Sequence, residues 1–282
     1  MKLGLFGINF GPCVDPACAT RVARAAEAAG FDSLWTAEHV VLPDPQTPDS
    51  PIPAQTPLLH PAVALAHVAA QTETIKLATG IVIVPQRNPV VLAKEFASVD
   101  VVSGGRLILG AGTGYLRSEF DALGMSFDDR GGRMNEAIEV IRTLWTEEKP
   151  AYHGDFFDFG GIDAQPRPLQ RPHPPIVIGG LSAPALRRAV RQGNGWYGFA
   201  LDHAAAAASI AGLREAAKAV ERPASLGGLE LTITPAGALD EDSVARYAEL
   251  GVERLVVIGA GGSADELVAF VEQNAETVLR AG

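Results

Sequence analysis

Two cysteines, Cys13 and Cys18, are the whole thiol inventory of this 282-residue chain. A C-x₄-C pair without a second Cys or His cluster forms neither a disulfide framework nor a zinc site, so a reduced, cytoplasmic protein is expected. No run approaches the roughly 18–20 apolar residues that a membrane span requires. The opening stretch is interrupted by Gly4, Gly7 and Asn9, which suits a first strand better than a signal peptide. Basic residues are sparse: 23 Lys and Arg stand against 33 Asp and Glu, a formal charge of −10. The longest basic stretch, Arg187-Arg188 with Arg191, is too short to track a phosphate backbone, so neither nucleic acid nor a membrane is expected as a partner. There is no G-x-S-x-G elbow and no His, Cys and carboxylate set with metal-ligand spacing. Redox chemistry in such a chain must therefore come from a bound organic cofactor.

What is present is a large potential core: 47% of residues are hydrophobic and 20% charged. The chain repeats one unit, a short apolar run, a Gly- or Pro-marked loop and an Ala-rich helical pattern. The predicted strands are 3–8, 33–36, 75–84, 106–111, 175–178, 196–201, 229–234 and 254–258. Helices open at Asp15-Pro16, His60-Pro61, Asn88-Pro89, near Asn135, and at Ala183, Ala204, Asp240 and Ser263, where Ser263-x-x-Glu266 spells a capping box. Eight strands alternating with eight helices imply parallel strands and crossover helices. The expected fold is α/β, a (β/α)8 TIM barrel filling residues 1–282 as a single domain. Two insertions stand out. Residues 41–58 hold six prolines after strand two, at the mouth where barrel sites are built, and suit a lid or substrate wall. Residues 151–168 read as a hairpin before strand five, a plug or an edge element.

Gly110-Ala111-Gly112-Thr113-Gly114 follows a strand, but Tyr115 and Arg117 occupy the positions where a dinucleotide fingerprint needs glycine. A tight turn and a close approach to a ligand are both open readings. Ile178-Gly179-Gly180-Leu181-Ser182 joins a strand end to a helix start, where backbone N–H groups suit a phosphate or a plain βα turn equally. Glu38-His39 ends strand two, a location fit for proton exchange.

As a set, the segments 31–39, 77–81, Asn88-Pro89, 109–115 and 174–180 resemble the bacterial luciferase-like monooxygenase superfamily, nearest its branch using the deazaflavin coenzyme F420. The resemblance runs nearly end to end. It implies a homodimeric barrel with F420 or FMN at the mouth. A bulge with a cis non-prolyl peptide would fall at Gly80-Ile81, beside Thr79, and back the ring. Gly112, Thr113, Gly114, Tyr115 and Ser118 would contact the tail, while Gly179, Gly180 and Ser182 would cradle a phosphate. His39, with Glu38, would sit at the hydride face as proton donor or ring-orienting group. Glu38 stands where sugar-phosphate dehydrogenases of the group carry Asp, and Ser118 where some relatives carry Asn. Only Arg87 and Arg117 could meet a sugar phosphate, so that substrate class is not expected, and the Pro-rich loop suggests an apolar or neutral pocket for a small organic substrate.

The implied activity is hydride transfer between the deazaflavin C5 and that substrate. The rival on the same fold is an FMN-dependent monooxygenase needing oxygen and a flavin reductase. A non-catalytic flavin-binding paralogue is a second, and a redox-free lyase or isomerase a third. The last is weakened because only Lys76 and Lys94 lie near strands.

Overall fold

The computed structural model describes residues 1–280. Eight parallel strands close into a barrel: β1 Lys2–Phe6, β2 Ser33–Thr36, β3 Lys76–Thr79, β4 Leu107–Gly112, β5 Ile176–Gly179, β6 Gly195–Leu201, β7 Glu230–Pro235 and β8 Arg254–Ile258. Neighbours in sequence are neighbours in the sheet, β1 also pairs with β8, and β3 with β4 completes the ring. The helices packed outside are α1 Pro16–Ala28, α2 Pro61–Ala69, α3 Pro89–Val102, α4 Arg117–Ala122, α5 Arg130–Thr146, α6 Ala183–Gln192, α7 His203–Ala219, α8 Glu241–Glu249 and α9 Ala264–Arg280. The expected TIM barrel is therefore the fold. None of these helices is long and apolar enough to cross a membrane.

Helix starts follow their local chemistry. Asp15, Asn88, Ser182, Asp202 and Asp240 each accept a backbone N–H of the helix they open, satisfying donors that have no intrahelical partner. The reciprocal capping box is formed by Asp240 and Ser243. At the predicted box, Ser263 does accept from Glu266 N, but the Glu266 carboxylate takes the N–H of Gly262 instead. α5 begins five residues before the predicted Asn135, and α4 is an added helix in the loop after β4.

Strand alternation divides the side chains into two shells. Those pointing outward meet the helices in the main core. Those pointing inward form a compact column of Phe6, Trp35, Ala78, Ile108, Val177, Tyr197 and Val256. Below it, at the strand starts, Arg254 is inward-facing and 1% exposed. Its guanidinium is held by Asp32 (2.8 Å) and by Glu230, which also bonds Lys2. Burial works to raise both carboxyls, yet Arg254 outweighs it and holds Asp32 and Glu230 below their ordinary range.

At the upper end of the column β3 is interrupted. Ala78 is opposite Ile108, but Val82, where the strand resumes as Val82–Ile83, is opposite Ala111. Four residues on one strand thus face three on the next, which is a one-residue bulge. The Gly80-Ile81 peptide within it is cis. The bulge turns the Ile81 side chain inward across β4 and β5, where every position it covers is glycine. A Cβ on Gly112 would lie 2.0 Å from Ile81 Cδ1, and one on Gly179 would lie 2.9 Å from Ile81 Cγ2. On Gly110 a Cβ would lie 1.8 Å from the Thr79 carbonyl oxygen.

The insertions are tied down by buried acceptors. Asn9, fully buried, donates to the carbonyls of Ala37 and Leu59 and accepts Ala37 N, clamping the exit of the Pro-rich loop to the end of β2. The hairpin pairs Tyr152–His153 with Asp158–Phe159, and its turn is gripped by Glu136 of α5, which accepts three successive N–H groups. It is thus an edge element fastened to a helix, and the plug alternative is set aside.

Gly110→Ala should cost about 3 kcal/mol in urea unfolding, because the clash is with backbone. Gly228→Ala, with open space around it, should stay within about 0.5 kcal/mol. Acid should also weaken the barrel base. The carboxyl pKa values are depressed in the fold, so their contribution is complete above the ordinary values of 3.8 and 4.5 and is lost as pH falls through the lowered folded values. Unfolding series between pH 3 and 7 should show this loss, and Glu230→Gln should flatten it.

Candidate functional site at the barrel mouth

The C-terminal ends of β3, β4 and β5 meet at Ile81, which is half-buried and packed on the inner column. The two residues expected to act together lie just past the end of β2 and go to different partners. Trp35 and Ala37 pack on the inner column, and Glu38 turns to the bulge. Glu38 is 6% exposed and accepts Ile83 N at 2.6 Å and Arg87 Nη2 at 2.7 Å. Burial pushes its carboxyl above the usual range, and Arg87 and the Ile83 amide offset this only in part. Arg87 continues to His60 (3.3 Å), whose other ring nitrogen meets Glu95 (3.3 Å). Glu38 is thus a brace behind the bulge and forms no pair with His39.

The partner of His39 comes from α4. Its Nδ1 lies 3.4 Å from Glu119 Oε2, while Glu119 Oε1 accepts Val40 N at 2.6 Å. Glu119 is 1% exposed. Burial acts to raise its carboxyl, but His39, the Gln86 amide and the Val40 N–H together prevail and hold it below the ordinary range. An acceptor fixed at Nδ1 leaves Nε2 as the imidazole nitrogen available to a ligand. The Tyr115 ring stands edge-on to His39, with centroids 6.1 Å apart. Gln86 is buried beside this carboxylate, and its amide helps favour the ionised form.

The other expected positions separate into two groups. Thr79 is fully buried and its hydroxyl donates to Gly110 O, so it holds strand to strand. Gly112 and Gly179 are glycine because Ile81 occupies the space of their side chains, which gives the Gly-rich turn a packing reason. Thr113 and Gly114 lie partly open, Tyr115 and Ser118 are exposed, and Gly114 has φ +73° above Ile83 and Phe120. Gly180 is exposed at φ +120°, and Ser182 caps α6, where Pro184 has no N–H and Ala185 donates to Ser182 Oγ, leaving the Ala183 N–H at the helix start. A flat ring with an anionic tail fits this frame: Ile81 supplies an apolar platform and α6 a positive helix end. Among the described residues no His, Cys and carboxylate group could hold a metal.

The family model for luciferase-like monooxygenases matches residues 8–278. The chain belongs to the luciferase-like monooxygenase family. An uncharacterized protein of Mycobacterium tuberculosis is 31% identical over 289 residues, covering 97% of each chain. The FMNH(2)-dependent dimethylsulfone monooxygenase of Pseudomonas putida is 36% identical over 142 residues, 49% of this chain and 39% of that one. An F420-dependent secondary alcohol dehydrogenase, solved with an F420-acetone adduct, shares the fold with a TM-score of 0.79 at 18% identity, over 100% of this chain and 99% of that one. In this luciferase-like chain neither Glu119 nor the amide of Gln86 was marked by a motif. Glu119 meets His39 across 80 residues, a pairing no local spacing announces.

Glu119→Gln should leave the fold intact but release the ring. In ¹⁵N spectra above neutral pH, the wild type should show His39 protonated at Nδ1, and the variant a mixture of tautomers.

Proposed function

We propose that this luciferase-like protein is a coenzyme F420-dependent oxidoreductase acting on a small organic molecule. The reading is carried by one observation, the imidazole of His39 held by a buried Glu119 at the end of β2, beside the strand that presents Ile81. End-to-end likeness to an F420-dependent dehydrogenase supports it, alongside a match of only half the chain to the FMN-dependent relative.

The deazaflavin, when bound, supplies hydride at C5. Ile81 backs the ring, the start of α6 with Gly180 and Ser182 holds the phosphate, and Tyr115, Ser118 and the 112–114 turn line the tail. Proton transfer at Nε2 is the work of His39. Glu119 sets its orientation through Nδ1. Glu38 and Arg87 keep the bulge in place. A homodimer is the assembly proposed. The FMN-dependent reading, with oxygen and a reductase, is favoured by the 36% identity to the dimethylsulfone enzyme.

Fluorescence titration of apo-protein with F420 and with FMN separates the two. F420 should bind about tenfold tighter or more; FMN preference would move the protein to the monooxygenases, and binding of neither would remove the redox reading. His39→Ala should lower turnover by about 10²–10⁴-fold with F420 affinity nearly unchanged. An unchanged rate would leave a cofactor-binding protein without catalysis.

A further inference from the structure

The mouth is walled by hydrocarbon, and one part of that wall is built at the expense of regular backbone geometry. Where β6 meets β7, Gly198 is opposite Ile233 but Leu201 is opposite Pro235. The extra residue is a second bulge, over Phe199 and Ala200, and Ala200 has φ +55°, the only non-glycine positive φ among the described residues. A side-chain-bearing residue in the left-handed region costs free energy, and such backbone is kept where it aims a side chain. Here it aims Phe199. Its ring stands 43% exposed above the inner column, 5.2 Å from Phe6 and 6.2 Å from Tyr197 between centroids, and Phe6 in turn meets Phe10 at 6.0 Å.

Other strand ends add to this wall. Val40 and Val41 after β2, Tyr115 after β4, Leu181 after β5 and Ile258 at the end of β8 are all between 39% and 55% exposed. Together with Phe199 they are half of the twelve large apolar side chains exposed among the described residues. That half lies around one opening. Single exposed apolar residues need no explanation, but six gathered at the strand ends of one barrel face do.

Charge at the same opening is already committed. Arg87 is bonded to Glu38 and Arg117 to Asp128, while Arg130 donates to Phe127 O and lies 3.6 Å over its ring. The lysines are at positions 2, 76, 94, 149 and 218, in strand starts, helix interiors or helix ends away from the mouth. Both oxygens of Glu119 and of Glu38 are likewise taken.

We infer that the substrate of this site is an uncharged, predominantly hydrocarbon molecule, and that Phe199 is the residue that selects it. A carboxylate or phosphate entering here would lose its hydration without meeting a free cation, while an apolar body would cover Phe199 and the valine lip. The inference rests on the proposed redox site, since it concerns what lies above the cofactor.

The test uses matched probes on cofactor-loaded protein, 1-decanol against decanoate and cyclohexylmethanol against cyclohexanecarboxylate, read by saturation-transfer NMR and calorimetry. Cofactor affinity is measured separately, so failure of the redox reading shows as lost cofactor binding and not as altered probe preference. The neutral member of at least one pair should bind about tenfold tighter than its anion. Phe199→Lys, with cofactor affinity and thermal unfolding as checks on its fold, should reverse that preference, and Phe199→Leu should retain it. Equal or tighter binding of both anions, no binding of either neutral probe while cofactor binds, or an unaltered preference in a folded Phe199→Lys would overturn the inference.

Discussion

The packing of Ile81 into a hole of absent side chains is the constraint on which the upper half of this barrel depends. TIM barrels ordinarily fill their interior with layers of inward side chains from successive strands. Here the uppermost layer on β4 and β5 is glycine, and its volume is taken by one isoleucine delivered from β3. The bulge that delivers it needs support from behind, because the two residues after it resume pairing one position out of step. Glu38 gives that support through the Ile83 amide, and Arg87 neutralises the buried carboxylate so formed. Platform, brace and counter-ion thus come from β3, the end of β2 and the loop before α3. Losing any one of them would disturb the surface on which a ring can rest.

The two carboxylates near the mouth illustrate how placement sets role. Glu38 is buried with a single cation and a single amide, and its ionised form is held less comfortably than in water. Glu119 is equally enclosed yet receives enough hydrogen bonds to favour its charge. A carboxylate held ionised beside Nδ1 can orient an imidazole. The geometry therefore transfers the supporting role for His39 from its sequence neighbour to a residue on α4. It leaves Glu38 with a purely architectural task.

The same separation of layers runs from base to mouth. Charge is concentrated at the strand starts around Arg254, where no ligand is expected, and the column above it is apolar up to Ile81. Fixed charges at the mouth are paired among themselves, and the surface that remains open is aromatic and aliphatic. Such a site distinguishes molecules chiefly by the cost of removing their charges from water.

The order of elements was legible in the amino-acid sequence, since alternating apolar runs and helix caps such as Asp15-Pro16 and Asn88-Pro89 are local signals. So was the family, through motifs spread along the chain, and with it the bulge at Gly80-Ile81. Which glycines serve a ligand and which serve Ile81 was not legible, because that depends on a side chain 31 residues from Gly112 and 98 from Gly179 in sequence. The short helix α4 left no recognisable pattern in six residues. The partner of His39 and the aim of Phe199 were settled only by the closed barrel, because closure brings the end of β2, α4 and the irregular end of β6 to one opening.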